Sequence, residues 1–285
     1  MVDGSLSTSL ERTYRYLRIG LAGTVVVILF AVALAAASVG WLTSVSDYYY
    51  TSARNAFVGA LIAAALALVA LSGRGADRAL LDAAALFAPL IALVPTTVVP
   101  GSIPGVEVTC EEPCFPSEHI PDAANGVATY LFIGGLVVLV ALLLAALRQV
   151  SVTSIALSLV VATAVLAAVA LTWILAADVF LTYGHFVATV VFFALFAAVA
   201  MLNAFPRRGA RPAPVYRVLY TAIATGLLVV LVAYLALLPR VDDLAFPLVL
   251  VVEASALALF FAFWVVQSVE KWSEADPSLL PAGRG

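Results

Sequence analysis

The amino-acid sequence predicts an all-α fold, a polytopic transmembrane bundle of eight helices with both termini in the cytoplasm. Three observations lead to this prediction: 64% of the 285 residues are hydrophobic and only 11% are charged, long apolar stretches recur along the whole chain, and the arginines cluster on one side of these stretches. An apolar helix of about 20 residues crosses a hydrocarbon core of about 30 Å. Lipid-exposed backbone must satisfy its own hydrogen bonds, which favours helices over strands.

The spans follow the apolar stretches in order along the chain. They are predicted near residues 17–45, 53–73, 79–99, 125–147, 152–177, 184–205, 215–238 and 246–270. The connections are short apart from a Pro- and Gly-rich loop at 100–124, so we predict one transmembrane domain over 17–271, an N-terminal segment at 1–16 and a tail at 272–285. The first apolar stretch is too long for a cleaved signal peptide and is followed by further spans, which predicts an uncleaved anchor.

Aromatic residues at the ends of the spans support this assignment, because Trp and Tyr concentrate at membrane interfaces. At the predicted outer interface they are Trp41, Tyr48, Tyr49 and Tyr50, and at the inner interface they are Tyr14, Tyr16, Tyr216, Tyr220 and Trp272. These residues flank the first, seventh and eighth spans. They therefore indicate where those helices meet the lipid head groups.

The basic residues test the number of spans independently, because Lys and Arg concentrate in short cytoplasmic segments. With eight spans, one side receives Arg12, Arg15, Arg18, Arg74, Arg78, Arg148, Arg207, Arg208, Arg211, Arg217, Lys271 and Arg284, and the other receives only Arg54 and Arg240. This asymmetry predicts cytoplasmic termini and an extracytoplasmic 100–124 loop. The Arg-heavy, Ala-rich usage indicates a GC-rich prokaryotic genome, which predicts the plasma (inner) membrane as the location.

The two cysteines, Cys110 and Cys114, lie in the 100–124 loop, on the side of the membrane where disulfides persist. We predict a disulfide between them. A metal site with His119 is the alternative, but the spacing matches none of the usual zinc patterns and lacks a clear fourth ligand. No metal and no cofactor are predicted. A loop of this length also suits a lid or a binding element.

Polar side chains converge at the predicted outer side of the bundle, where the even-numbered spans begin and the odd-numbered spans end. The candidate ligand-binding or pocket residues are Glu253, His185, Arg54, Asn125, Asp178 and Tyr50. Glu253 lies deepest, and a carboxylate there costs about 3 kcal/mol to insert unless it is protonated or paired. Its candidate partners are His185, Arg54, Asp178 and the hydroxyls of Tyr48 to Tyr50.

Each of these side chains also has an ordinary structural interpretation. Arg54 can extend its guanidinium to the interface, Asn125 can cap a helix, and His185 can bond to a backbone carbonyl. Glu253 is different, because an ionisable group inside the membrane points to function. The sequence therefore predicts a pocket centred on Glu253.

The segment around the second span reads Tyr48-Tyr49-Tyr50-Thr51-x-x-Arg54-x-x-Phe57-Val58-Gly59. This motif resembles the signature of a bacterial and archaeal family of multi-spanning membrane proteins without an assigned function. Weaker matches are Asp77, Ala92-Leu93-Val94-Pro95-Thr96, His185-x-x-Ala188-x-x-x-Phe192-Phe193, Tyr216-Arg217, Glu253-x-x-x-Leu257, Phe263-Trp264 and Lys271. The resemblance implies an architecture and assigns no chemistry.

The chain departs from that family pattern at its fourth and fifth spans. The family passes almost directly from its third helix to the His-bearing helix, so these two spans and the 100–124 loop, called here the Cys loop, look inserted. Asn125-x-x-Ala128-Thr129-x-x-Phe132 also echoes His185-x-x-Ala188-Thr189-x-x-Phe192. This short match suggests that the fourth span is a diverged copy of the sixth.

Three function classes follow. The first is a binding or transport protein whose outward-facing polar pocket takes a small polar molecule, a lipid head group or a proton. The second is an intramembrane hydrolase that uses His185 and Glu253, with Ser52 as a conceivable nucleophile. The third is a structural or interaction subunit, although interhelical polar contacts in membranes average only about 0.6 kcal/mol. The first class is favoured, and an enzyme is the less favoured reading.

Other partners are limited by what the sequence lacks. It contains no nucleotide-binding glycine motif and no redox thiol motif, and its arginines form no separate basic domain. No nucleic-acid partner is expected. Membrane lipids and an unidentified small molecule are the expected partners, and the oligomeric state is open.

Overall fold

The structure is a computed structural model that describes residues 8–72, 76–206, 211–239 and 246–273, without the side chains of 76–78. Its described part contains eight α-helices, which confirms the predicted all-α class. Their bounds are α1 Ser9–Val39, α2 Arg54–Leu71, α3 Ala76–Leu93, α4 Ile120–Ala146, α5 Val152–Leu175, α6 Ala177–Ala204, α7 Pro214–Leu237 and α8 Leu248–Glu270. Seven of them are long and apolar enough to cross a membrane, and α3 contains a shorter apolar helix, Ala79–Leu93.

Part of the predicted charge pattern lies outside the described residues. This applies to Arg74, Arg207, Arg208, Arg240 and Arg284, and to the side chains of Asp77 and Arg78. The tail at 272–285 is described only as far as residue 273.

Six helices form a closed ring. In ring order they are α1, α2, α3, α6, α7 and α8, and α8 packs back against α1. The α4–α5 hairpin lies outside this ring, against α3 and the neighbouring α6. The most apolar windows of α4 and α5 are only 11% buried, against 44% for α6. The hairpin is therefore peripheral, and the ring forms the core of the protein.

Several helix bounds differ from the predicted spans. The third helix ends at Leu93 and not near residue 99, because Val94 precedes Pro95 and a residue before proline disfavours helical backbone. Helix α6 begins at Ala177, and only Ala176 separates it from the end of α5. His185 is thus the ninth residue of α6, about 12 Å from its start at 1.5 Å per residue. His185 therefore lies inside its helix, and its predicted position at the beginning of the helix is wrong.

The end of the ring where α1 ends and α2 begins, called here the loop end, is filled by the connection at 40–53. Tyr48 and Tyr49 are 0% and 3% exposed, so they pack inside the protein, whereas Trp41 is exposed. The predicted position of these tyrosines at the outer membrane interface stays a prediction. A buried connection must satisfy its own backbone groups. The Tyr48 hydroxyl does so by accepting from the Leu42 amide and donating to the Gly40 carbonyl.

Asp47 organises the first half of this connection. One of its carboxylate oxygens accepts hydrogen bonds from the Thr43 hydroxyl and from the Ser44 amide, the latter at 2.9 Å. The Ser44 hydroxyl accepts the Asp47 amide at 2.9 Å. Burial raises the pKa of Asp47, and the hydrogen bonds from Thr43 and Ser44 oppose that rise. The connection is therefore a folded unit that holds its own polar groups.

The opposite end, called the terminal end because α1 begins and α8 ends there, is closed by arginines. Arg18 donates to the Lys271 carbonyl at 2.8 Å, and Arg15 donates to the Trp272 carbonyl. The Arg15 guanidinium also lies 4.2 Å from the centre of the Trp272 ring. Cations near a helix C-terminus stabilise its unpaired carbonyls. These two arginines therefore join α1 to the end of α8, in addition to the topological role that the sequence indicated.

We expect Asp47→Ala to lower the stability of the folded protein by about 2 kcal/mol, because it leaves the buried Ser44 amide without its acceptor. Asp47→Asn keeps an oxygen there and should cost less. Because the raised pKa makes ionised Asp47 unfavourable in the folded state, its contribution to stability falls as pH rises above the ordinary Asp pKa. Thermal unfolding in detergent across pH, with Glu111→Ala as an exposed control, measures both effects. Equal midpoints for Asp47→Ala and Glu111→Ala would refute this role.

Candidate functional site

Ser46, in the buried 40–53 connection, links Glu253 of α8 to His185 of α6. Its hydroxyl lies 2.8 Å from Glu253 Oε1, and its backbone N–H donates to Glu253 Oε2 at 3.1 Å. The same hydroxyl oxygen lies 2.9 Å from His185 Nε2. Glu253 and His185 thus meet through Ser46, and we call this group the Glu–Ser–His chain.

The Val94 carbonyl fixes the role of each histidine nitrogen. It lies 2.8 Å from His185 Nδ1, and because a carbonyl only accepts, Nδ1 carries a proton. In a neutral imidazole Nε2 is then an acceptor. The non-helical residues directly after α3 expose this carbonyl, so the proline that ends α3 also helps to set the tautomer of His185.

A count of donors defines the protonation of the chain. Ser46 has one hydroxyl proton, which cannot be given both to a neutral His185 Nε2 and to an ionised Glu253. Both hydrogen bonds of the hydroxyl oxygen form only when one further proton is present, on Glu253 or on His185. The observed geometry therefore fits a chain that holds one transferable proton.

Two cavities adjoin the chain. The first, of about 70 Å³, lies between α6, α7 and α8, and His185 and Glu253 are part of its wall. The second, of about 50 Å³, is lined mainly by apolar residues of α1, α2, α6 and α8 and also by Ser46 and Glu253. Glu253, Thr189 and Phe193 line both cavities. Cavities of this size hold several waters or a small molecule.

Arg54 and Tyr50 belong to a second polar group near the loop end. Arg54 lies 2.8 Å from Asp122 in an ion pair and donates to the Tyr49 hydroxyl at 2.8 Å. The Tyr50 hydroxyl donates to the Thr96 carbonyl. Burial raises the pKa of Tyr49 and of Tyr50. Arg54, proposed above as a partner for Glu253, instead joins α2 to the start of α4.

Asn125 and Asp178 lie apart from the Glu–Ser–His chain. Both belong to the described part of the chain, both are exposed, and neither is among the residues that line the two cavities. Asn125 is near the start of α4, and Asp178 is in the first turn of α6. The structure thus brings together two of the six predicted pocket residues, Glu253 and His185.

Sequence reasoning missed Ser46 and Thr189. Thr189 follows His185 by four residues and so lies on the same face of α6, a periodicity that the sequence contains. Ser46 has no comparable signal, because it contacts a residue 207 positions away. Ser52, considered above as a nucleophile, is exposed in the structure.

The Cys loop packs across the loop end. Cys110 and Cys114 lie at disulfide-bonding distance, as predicted. Val98 and Cys114 exchange backbone hydrogen bonds of 2.9 and 3.1 Å, which fold the loop back on itself. The His119 ring lies 5.0 Å from the Tyr50 ring. The loop therefore rests on the tyrosines of the 40–53 connection.

Among the described residues, no group of three or more His, Cys, Asp or Glu side chains is placed to hold a metal ion. Comparisons with protein-family models, with curated proteins and with solved structures each found no match to this chain. The resemblance suggested by the Tyr-rich motif thus stays a prediction. The apolar helical bundle is consistent with a multi-pass integral membrane protein.

We expect Ser46→Ala to destabilise the protein by about 1–3 kcal/mol, because it leaves a buried imidazole nitrogen without its hydrogen-bond partner. The matched control is Ser52→Ala, an exposed serine of the same connection, which should be close to neutral. Thermal unfolding of both variants in the same detergent gives the comparison. Indistinguishable midpoints would mean that the Ser46 hydroxyl does not hold the loop end together.

Proposed function

We propose that this protein is a prokaryotic plasma-membrane protein that binds or transports a small polar ligand in coupling with a proton. The supporting observation is the Glu–Ser–His chain in the wall of both cavities. The proton is held by the chain, and the ligand occupies the first cavity. With cytoplasmic termini, as the arginines predict, this site opens toward the outer face.

The energetic argument concerns Glu253. An unpaired carboxylate at this depth is costly by about 3 kcal/mol, and no Lys or Arg side chain is among the residues lining either cavity. A proton shared with His185 through Ser46 removes that cost. A buried carboxylate in this setting contributes little to structural stability but is a suitable proton acceptor.

The chain also supports proton movement. When Glu253 carries the proton, it donates to the Ser46 oxygen while the Ser46 hydroxyl proton passes to His185 Nε2. The O–H bond of Glu253 and the original O–H bond of Ser46 break, while a new O–H bond forms at Ser46 and an N–H bond forms at His185. The serine keeps one proton throughout, and the product is an ion pair of glutamate and imidazolium. Glu253 lines both cavities, His185 lines only the first and Ser46 only the second, so the chain is in contact with both.

Proton flux into liposomes tests the proposal. We expect purified wild-type protein to acidify an internal pH dye when a valinomycin-imposed potassium potential drives protons inward, and Glu253→Gln to reduce the rate to that of protein-free liposomes. The control is Glu270→Gln, the same substitution at the far end of α8, where the carboxylate accepts from Tyr220. Flux equal to wild type in Glu253→Gln would contradict a proton-handling role for this site.

A serine hydrolase is a second candidate, since the Ser46 hydroxyl lies 2.9 Å from a histidine nitrogen. Two features oppose it. Glu253 bonds to Ser46 and not to His185, so the acid does not orient the base as in a catalytic triad. The Ser46 amide donates to Glu253 and so does not provide an oxyanion donor.

An activity-based fluorophosphonate separates the two functions. We expect no covalent labelling of the wild-type protein in detergent, because Ser46 is buried and its amide is occupied. Mass spectrometry of the peptide that contains Ser46 gives the readout, and a known serine hydrolase in the same detergent verifies the reagent. Labelling that Ser46→Ala abolishes would favour the hydrolase instead.

A further inference from the structure

We propose that the first cavity binds a small organic ammonium cation, held between the Glu253 carboxylate and the cavity's aromatic and aliphatic wall. This inference rests on the proposed function and names the ligand class of the same site. Its support is the charge of the lining, the nature of the wall and a buried hydroxyl without a protein partner.

The charge of the lining selects the sign of the ligand. The ionisable residues of the wall are Glu253, His185 and Tyr234, and the lining contains no Lys or Arg. An anion such as a carboxylate or a phosphate would therefore find no permanent counter-charge and would face Glu253. A cation gains a direct partner, because an opposite charge at close range is worth more in a low-dielectric site.

The wall suits an alkylated nitrogen. Phe186, Phe193 and Tyr234 line the cavity beside aliphatic side chains of α6, α7 and α8. The Phe186 and Tyr234 rings lie 5.7 Å apart. Aromatic faces attract ammonium groups, and the attraction is larger where water is excluded. Alkyl substituents gain from contact with the aliphatic wall, which an inorganic cation could not exploit.

Thr189 supplies a further polar contact. Its hydroxyl oxygen is buried and has no hydrogen-bond partner among the described residues, and the residue lines the first cavity beside Glu253. Buried polar groups are normally satisfied, so such an orphan suggests a bound partner. An ammonium N–H can donate to this hydroxyl while another donates to the carboxylate. A ligand of about five non-hydrogen atoms suits the small volume.

Cation binding and proton binding compete at Glu253. The ionisable groups facing it are Asp47 from the 40–53 connection, His185 from α6 and Tyr234 from α7. A bound ammonium ion favours ionised Glu253 and disfavours a charged His185, so the transferable proton leaves the chain. Affinity for the cation should therefore fall as pH falls, and one proton should be released for each cation bound.

Isothermal titration of the full-length protein in detergent with isobutylammonium chloride tests this inference. Isobutanol is the matched neutral probe, with the same alkyl shape and a hydrogen-bonding head. We expect saturable binding of isobutylammonium only, loss of binding in Glu253→Gln and retention in Glu270→Gln. Thr189→Val, which removes only the orphan hydroxyl, should weaken binding about fivefold. Titrations in buffers of different ionisation enthalpy should give a release of about one proton for each cation bound.

The outcomes separate the inference from the function on which it rests. No saturable binding of isobutylammonium to wild type, or equal binding of isobutanol, overturns the cation site, and intact proton flux then leaves the proposed function standing. Binding without proton release overturns the competition at Glu253. Full binding in Glu253→Gln together with full proton flux in that variant would overturn both.

Discussion

A polar connection buried among apolar helices must find a hydrogen-bond partner for each of its groups, and this constraint shapes the whole loop end of the protein. Asp47 and Tyr48 satisfy the 40–53 connection internally. Ser46 instead finds its partners outside the connection, in hydrogen bonds to Glu253 of α8 and to His185 of α6. The position of Ser46 thus fixes how α6 and α8 approach each other at this end. The site depends on the connection as much as on the helices.

The same constraint couples the protonation of the two ionisable side chains of the site. In water, Glu253 and His185 would each find solvent partners and titrate separately. In the bundle they share one serine hydroxyl, so the protonation of each depends on the other. Two small cavities flank this group and leave Glu253 accessible from both. The exchange of a proton for a ligand, which we propose above, rests on this combination of a shared proton and adjoining space.

The peripheral α4–α5 hairpin bears on the resemblance noted in the sequence. Helices α3 and α6 contact each other directly, so the six-helix ring closes without the hairpin. An inserted helix pair would leave this ring undisturbed. The contacts of the hairpin with the ring include a hydrogen bond from Ser158 to Asp82 and the Arg54–Asp122 ion pair. These two contacts connect the hairpin to the ring near both ends of the hairpin.

The sequence by itself determined the helices and singled out Glu253 and His185 as candidate site residues. Apolar length and charge placement are local properties, and they define the helices to within a few residues at most ends. Glu253 was a candidate because a carboxylate inside the membrane is costly to insert, and His185 because the chain contains only two histidines. Only the tertiary structure decided that Ser46 joins them, that Arg54 pairs with Asp122, and that Asn125 and Asp178 lie elsewhere. Hydropathy reports which segments leave water, whereas hydrogen-bond partners 139 and 207 residues apart are set by how the helices pack around the buried connection.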